Sequence, residues 1–262
     1  MNSSLPNLLV VGGVRCGTGW LSQCLRDHPA VFMATDETRF FDRRFDMGLD
    51  WWIEEYFSSA RDYEVRGEKT AAYLNCLKAP ERISRSLPNV KLICSIRNPV
   101  DRLFSDRMLL LRGSPGLANL TLEQLLNSQR DLVERGLFTK HLARFFELIP
   151  EEQIHIVFYE SLVADTIQTV QSVYRFLGVG DQFVPQSIGL QTKPGSIENK
   201  NRISAFAARI LLHKYSPLKR KYSSLRKRYT PKTWSEQERS LLKEIYAEEN
   251  EKIFKLFGID YR

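Results

Sequence analysis

The sequence predicts an α/β fold with a central, mainly parallel sheet flanked by helices. Three observations predict it. Short apolar runs at 7–13, 91–96 and 153–159 read as buried strands. Segments with apolar residues at helical spacing lie between and after them. Glycine and proline punctuate the junctions, as at Gly12-Gly13, Pro88-Asn89 and Pro99. Strands alternating with helices in this way build parallel sheets.

The elements follow in order. The strand at 7–13 ends at Gly12-Gly13, and a helix over 17–27 stops near Asp27-His28-Pro29. Val31-Phe32-Met33 suits a second short strand, Trp51 to Phe57 a short amphipathic helix, and Tyr63 to Gly67 an edge strand. The buried strand at 91–96 leads into a helix over 100–111, with Pro99 suited to its first turn. Residues 121–135 and 138–149 each read as one helix. After the strand at 153–159, a helix over 164–177 ends at Gly178, a C-cap residue. Residues 181–200 read as irregular, and 203–213 and 235–257 as helices. No repeat or linker divides the chain, so a single domain over 1–262 is expected.

Composition narrows the function classes. No stretch approaches the roughly 20 apolar residues that cross a bilayer, and no signal peptide is evident. The four cysteines, Cys16, Cys24, Cys76 and Cys94, match no common zinc spacing. Free thiols and a cytoplasmic location are the expectation. The net charge of +7 is concentrated in residues 214–228, which hold seven basic side chains and no acid. The basicity is therefore one local patch.

Four segments carry chemistry. In Arg15-Cys16-Gly17-Thr18-Gly19-Trp20, a strand feeds a glycine-punctuated turn and a helix start. Backbone N–H groups and a helix dipole of roughly half a charge would make an anion cradle there, which makes the three-layer fold P-loop-like. The Gly-Lys-Ser/Thr ending of a nucleotidase loop is missing. In Arg97 to Asp106, Arg97 at a strand tip and Ser105 on the next helix could reach one phosphate, while Arg102 suits an ion pair with Asp101 or Asp106. In Asp36 to Asp42, Phe40 and Phe41 would anchor Glu37 near apolar neighbours, as a general base requires. In Glu68 to Tyr73, Lys69 could neutralise charge on a transferring group, or simply pair with a nearby acid.

In this order and spacing the four segments resemble the sulfotransferases that use 3′-phosphoadenosine 5′-phosphosulfate (PAPS), above all the heparan sulfate branch and its bacterial, cytosolic-type relatives. Arg15-Cys16-Gly17-Thr18 through His28-Pro29, Glu37-Thr38-Arg39-Phe40-Phe41, Glu68 to Tyr73, and Arg97 to Asp106 carry the resemblance. Weaker similarity continues through Phe158-Tyr159-Glu160 and Phe176-Leu177-Gly178. The resemblance implies that residues Arg15 to Trp20 hold the 5′-phosphosulfate, that Arg97 and Ser105 bind the 3′-phosphate, and that Tyr159 contacts adenine. It implies Glu37 as the base, Lys69 and Arg15 as charge stabilisers, in-line transfer, and no metal. Lys193 and Arg202 stand where relatives fold a loop over the donor. Two departures are visible: Arg15 replaces the family lysine, and Arg39 stands where many relatives carry histidine. The implied acceptor is a hydroxyl or amine of a carbohydrate, lipid or small molecule, and the basic segment would suit an anionic glycan or lipid.

Two other classes compete. A small-metabolite kinase explains the first loop but predicts Gly-Lys-Ser/Thr and a magnesium-binding acid, neither of which is evident. A protein binding nucleic acid or a membrane surface would use 214–228, with Tyr215 and Tyr222 interleaved among the cations.

Overall fold

The structure, a computed structural model, describes residues 5–113, 121–189 and 234–262. Five parallel strands form its sheet: β1 (Leu8–Gly12), β2 (Val31–Met33), β3 (Val65–Lys69), β4 (Lys91–Ile96) and β5 (Ile154–Phe158), in the order β2-β3-β1-β4-β5. β1 sits at the centre, pairing Leu8 with Gly67 of β3 on one side and with Lys91 of β4 on the other.

Among the described residues the helices are α1 (Thr18–Asp27), α2 (Leu49–Phe57), α3 (Ala79–Ser86), α4 (Pro99–Gly113), α5 (Leu122–Ser128), α6 (Arg130–Glu134), α7 (Phe138–Phe146), α8 (Tyr159–Ala164), α9 (Thr166–Leu177), α10 (Glu236–Ile245) and α11 (Ala247–Phe257). They cover both faces of the sheet. Alternate residues of β1 and β4 serve opposite cores, as the two-residue period of a strand demands. Leu9, Val11, Leu92, Cys94 and Ile96 pack with Phe40, Phe41, Trp52 and Phe138 on one face. Leu8, Val10 and Ile93 pack with Trp20, Leu21, Val173 and Tyr174 of α1 and α9 on the other. A third cluster joins Leu103 of α4 to Leu125, Leu132 and Tyr246. The three layers agree with the expectation from sequence.

The differences have physical causes. β3 lies inside the sheet, not at its edge; β2 and β5 are the edge strands. β3 has one large apolar residue, Val65, so its polar sequence disguised its burial. Gly67 admits the Leu8 side chain, since a Cβ there would lie 2.9 Å from Leu8 Cβ. The helix expected over 121–135 breaks at Gln129 (φ −133°), after a start closed by a Thr121–Gln124 capping box. The one expected over 235–257 breaks at Tyr246, a buried residue whose hydroxyl donates to the Val133 carbonyl at 3.1 Å. The one expected over 164–177 starts at Thr166, where Asp165 caps the Gln168 N–H at 2.9 Å, and ends at Gly178 as foreseen. α3 was not anticipated, although Pro80 in its first turn is a helix-start signal. The helix expected over 203–213 lies outside the described residues.

From β1 the chain runs outward to β2, returns through β3, and crosses β1 to reach β4. The strand order therefore reverses between β1 and β4, and parallel sheets bind ligands at the carboxyl ends of such a pair. The Arg15 and Arg97 loops both leave from there.

Candidate active site

The turn after β1 is fixed by the neighbouring strand. Gly13 N–H donates to the Ser95 carbonyl at 2.9 Å, and the buried Ser95 hydroxyl donates to the Cys16 carbonyl at 2.5 Å. Gly12 is required here, because a Cβ would stand 2.3 Å from the Ser95 oxygen. Gly17 then takes a left-handed conformation (φ 82°) and starts α1 with no side-chain cap. The first N–H groups of a helix lack intrahelical acceptors, so an uncapped start offers them to an anion. An added Cβ at Gly19 would meet nothing within 4 Å, so the turn opens to solvent there.

Not every loop side chain faces that opening. Cys16 is fully buried, and desolvation pushes its thiol up to about 12, which leaves it neutral and inert. Trp20 is buried in the α1 face, its indole N–H donating to the Ser187 carbonyl at 3.1 Å. These two could serve an anion only through their backbone. Thr18 is nearly buried at the helix start. Arg15 holds a left-handed backbone (φ 74°), unusual for a residue with a side chain, and its Nε donates to Ser105 Oγ of α4 at 2.9 Å.

The turn after β4 faces the same opening. The Arg97 guanidinium donates to the Arg15 carbonyl at 3.3 Å and lies 4.3 Å from the centre of the Tyr159 ring. Its Nε is buried with no hydrogen-bond partner among the described residues. The Tyr159 ring also walls the Gly17 turn, where a Cβ would lie 2.8 Å from the ring. Asn98 Oδ1 accepts from the Val100 and Asp101 N–H groups at 2.9 and 3.2 Å, capping α4. Arg102 points the other way, fully buried in a pair with Asp106 at 3.1 Å.

The third group follows β3. Lys69 Nζ donates to Glu37 Oε1 at 2.7 Å, with both side chains partly exposed. Beneath them Glu68 is fully buried; its Oε2 accepts from Thr70 Oγ1 at 2.8 Å and, weakly, from the Thr38 N–H at 3.5 Å. Burial pushes this carboxyl up to about 6, against the pull of those hydrogen bonds. Thr70 Oγ1 accepts from the Arg39 N–H at 3.3 Å, and Arg39 pairs with Asp42. Arg39, also left-handed (φ 54°), opens the π-helical turn Phe40–Arg44 that buries Phe40 and Phe41.

The structure thus brings Arg15, Gly17, Thr18, Arg97, Ser105 and Tyr159 around one opening, and joins Lys69 to Glu37. Lys193, Arg202 and the segment 214–228 lie outside the described residues. His28 and His155 stand apart. His28 is at the far end of α1, about 15 Å from its start, bonded to the Gly180 carbonyl at 3.0 Å and to the Ala30 N–H at 3.1 Å. His155 stacks on Phe176 of α9. Sequence reading missed Ser95, Asn98 and Glu68 as supports of the site. Asn98-Pro99 carried a readable signal, a capping residue before a proline.

No helix among the described residues is long and apolar enough to cross a membrane. No cluster of three or more histidine, cysteine or acidic side chains among them could hold a metal ion.

Comparison with known proteins identifies the family and the fold. Human heparan sulfate glucosamine 3-O-sulfotransferase 3B1 is 31% identical over 185 residues, 68% of this chain and 47% of that protein. The mouse heparan sulfate glucosamine 3-O-sulfotransferase 6 is 34% identical over 180 residues, 66% of this chain and 52% of that protein. The chain spans about half the length of these curated relatives. A solved sulfotransferase from Alicyclobacillus acidocaldarius shares the fold with a TM-score of 0.71 at 21% identity, covering 98% of this chain and 97% of that one. The sulfotransferase domain model matches residues 5–254, which sets the kinase reading aside, and the chain belongs to the sulfotransferase family.

Proposed function

We propose that residues 1–262 form one sulfotransferase domain that moves a sulfuryl group from PAPS to a hydroxyl or amine of an acceptor by in-line displacement. The observation that carries this reading is the convergence of Arg15, Arg97 and Ser105 on an uncapped helix start at the switch point of the sheet. The residues fit the donor. The buried, unpartnered Nε of Arg97 suits a phosphate oxygen, and the free N–H groups of α1 suit a second anionic group. When bound, PAPS supplies the sulfuryl group and a phosphate that leaves as a weak base.

The chain's own groups then have distinct tasks. Arg97 and Ser105 hold the 3′-phosphate, with Tyr159 as the wall beside the adenosine. The backbone from Cys16 to Trp20, with Thr18, holds the 5′ end. Arg15 stays charged at any working pH, so it stabilises charge on the leaving side and donates no proton. Glu37 accepts the proton of the acceptor, and Lys69 orients that carboxylate while placing positive charge beside it. Positioning and electrostatics supply most of the rate. Lys193 and Arg202 are retained as donor contacts, and 214–228 as the segment that draws an anionic acceptor toward the cleft. An anionic glycan is the acceptor favoured by the likeness to the heparan sulfate glucosamine 3-O-sulfotransferases. The free cysteines suit a reducing, cytoplasmic compartment.

The test is transfer of label from PAPS to a panel of glycan, lipid and small-alcohol acceptors, with wild type and Glu37→Gln. The expected result is turnover by wild type and a loss on the order of 10²- to 10⁴-fold in kcat for the variant, with affinity for adenosine 3′,5′-bisphosphate (PAP) unchanged. Failure of wild type to bind PAP overturns the reading.

A further inference from the structure

Behind the Arg97 turn, Glu160 joins two segments distant in the chain. Its Oε1 accepts from the Asn98 N–H at 2.9 Å, which belongs to the peptide linking Arg97 to Asn98. Its Oε2 accepts from the Tyr261 hydroxyl at 2.6 Å. Tyr261, on the segment after α11, is only 8% exposed and packs in the core beneath β4. Its carbonyl accepts from Asn250 Nδ2 of α11 at 3.3 Å, and α11 is held to α7 by Glu249, which accepts from the Thr139 N–H and hydroxyl at 2.8 and 2.7 Å. Burial and the neighbouring carboxylate push the Tyr261 pKa upward, so its hydroxyl remains a donor.

One carboxylate therefore touches both sides of the Arg97 socket. It fixes the peptide on which Arg97 and the Asn98 cap are strung, and through its chain neighbour Tyr159 it sets the ring beneath the Arg97 guanidinium. The hydrogen bonds of Glu160 run to the Asn98 backbone N–H and the Tyr261 hydroxyl. We infer that Tyr261 and Glu160 are positioning residues for the 3′-phosphate pocket, holding the Arg97–Asn98 turn so that the guanidinium meets a phosphate without first reorganising. This rests on the donor assignment above. A charged hydrogen bond lost behind a ligand-holding side chain is felt as looser geometry at the ligand.

The test compares Tyr261→Phe and Glu160→Gln with wild type by calorimetric titration of PAP and of adenosine 5′-monophosphate, which lacks the 3′-phosphate, together with melting curves and steady-state kinetics. The expected result is a Kd for PAP raised about 5- to 10-fold in Tyr261→Phe, with the monophosphate Kd within about twofold. Glu160→Gln, whose amide has one acceptor oxygen for two donors, should lose as much or more by the same measure. The KM for PAPS rises in step while kcat holds. Equal weakening toward both ligands, tracking a fall in melting temperature, would show a purely structural role and overturn the inference. So would an unchanged PAP affinity in both variants, which leaves the donor assignment standing. Absence of PAP binding by wild type overturns the inference and the donor assignment together. Should Glu160→Gln not fold, Tyr261→Phe, which removes a single oxygen, carries the comparison alone.

Discussion

Two helices begin at the same edge of the sheet, and their first turns differ. α4 is closed by its own chain: Asn98 Oδ1 takes the Val100 and Asp101 N–H groups. α1 begins at left-handed Gly17 with no side-chain cap. A side-chain cap is worth only about a few tenths of a kcal/mol over a glycine at that position, so α1 gives up little by leaving its first N–H groups open where an anion would supply the missing acceptors. The capped turn holds side chains in place; the open turn holds backbone donors in place. The pair teaches that an open helix start, common in this fold, becomes a candidate site where charged side chains from a second turn gather beside it.

The sharpest way to break this comparison is to close the open turn. Gly17→Ala forces a side chain into φ 82° and against the Tyr159 ring. Strain of about 1–3 kcal/mol is expected, with PAP affinity reduced on the order of 10- to 100-fold, as titration would reveal. Arg97→Ala leaves the open turn intact and removes the guanidinium beside it. PAP binding should weaken about 10-fold or more, while adenosine 5′-monophosphate binds nearly as before; equal losses for both ligands would refute the division of labour between the two turns.

Glu68 provides a control outside both turns. Its pKa in the folded chain, about 6, stands above the ordinary glutamate value of 4.5 because burial favours the protonated form. Its stabilising contribution is therefore full below pH 4.5 and is lost as pH rises through 6. Across that window wild type should lose about 2 kcal/mol from this group, and Glu68→Gln should show a flatter profile in denaturant titrations taken at a series of pH values. The smallest effect belongs to the capped turn. Asn98→Ala should cost about 1 kcal/mol in the same titrations and change PAP affinity less than Gly17→Ala does.

Much of this was legible in the sequence because local chemistry and tertiary role coincide. Leu8 to Val11 and Leu92 to Ile96 are buried on both faces, so their apolar runs announce them. The Gly17 turn and the Arg97 strand tip carry residue types that few other environments require. β3 was misplaced because its burial comes from backbone pairing on both sides, with little apolar side chain to signal it. The break at Tyr246 goes with a long-range hydrogen bond that periodicity does not encode, and the break at Gln129 has no glycine or proline beside it to announce it. Within the site, Glu37 and Lys69 could be named but their mutual contact could not, since 32 residues separate them. The Glu160–Tyr261 link, spanning 101 residues, left no local trace at all.

The central place of β1 also bears on how the chain is made. β1 emerges from the ribosome before either of its neighbours, and its apolar face has no strand to pair with until residues 65–69 and then 91–96 have followed. Such distant pairing makes a parallel sheet slow to assemble. During that interval Leu8-Leu9-Val10-Val11 is a sticky segment, and nascent-chain aggregation or chaperone capture should centre on it.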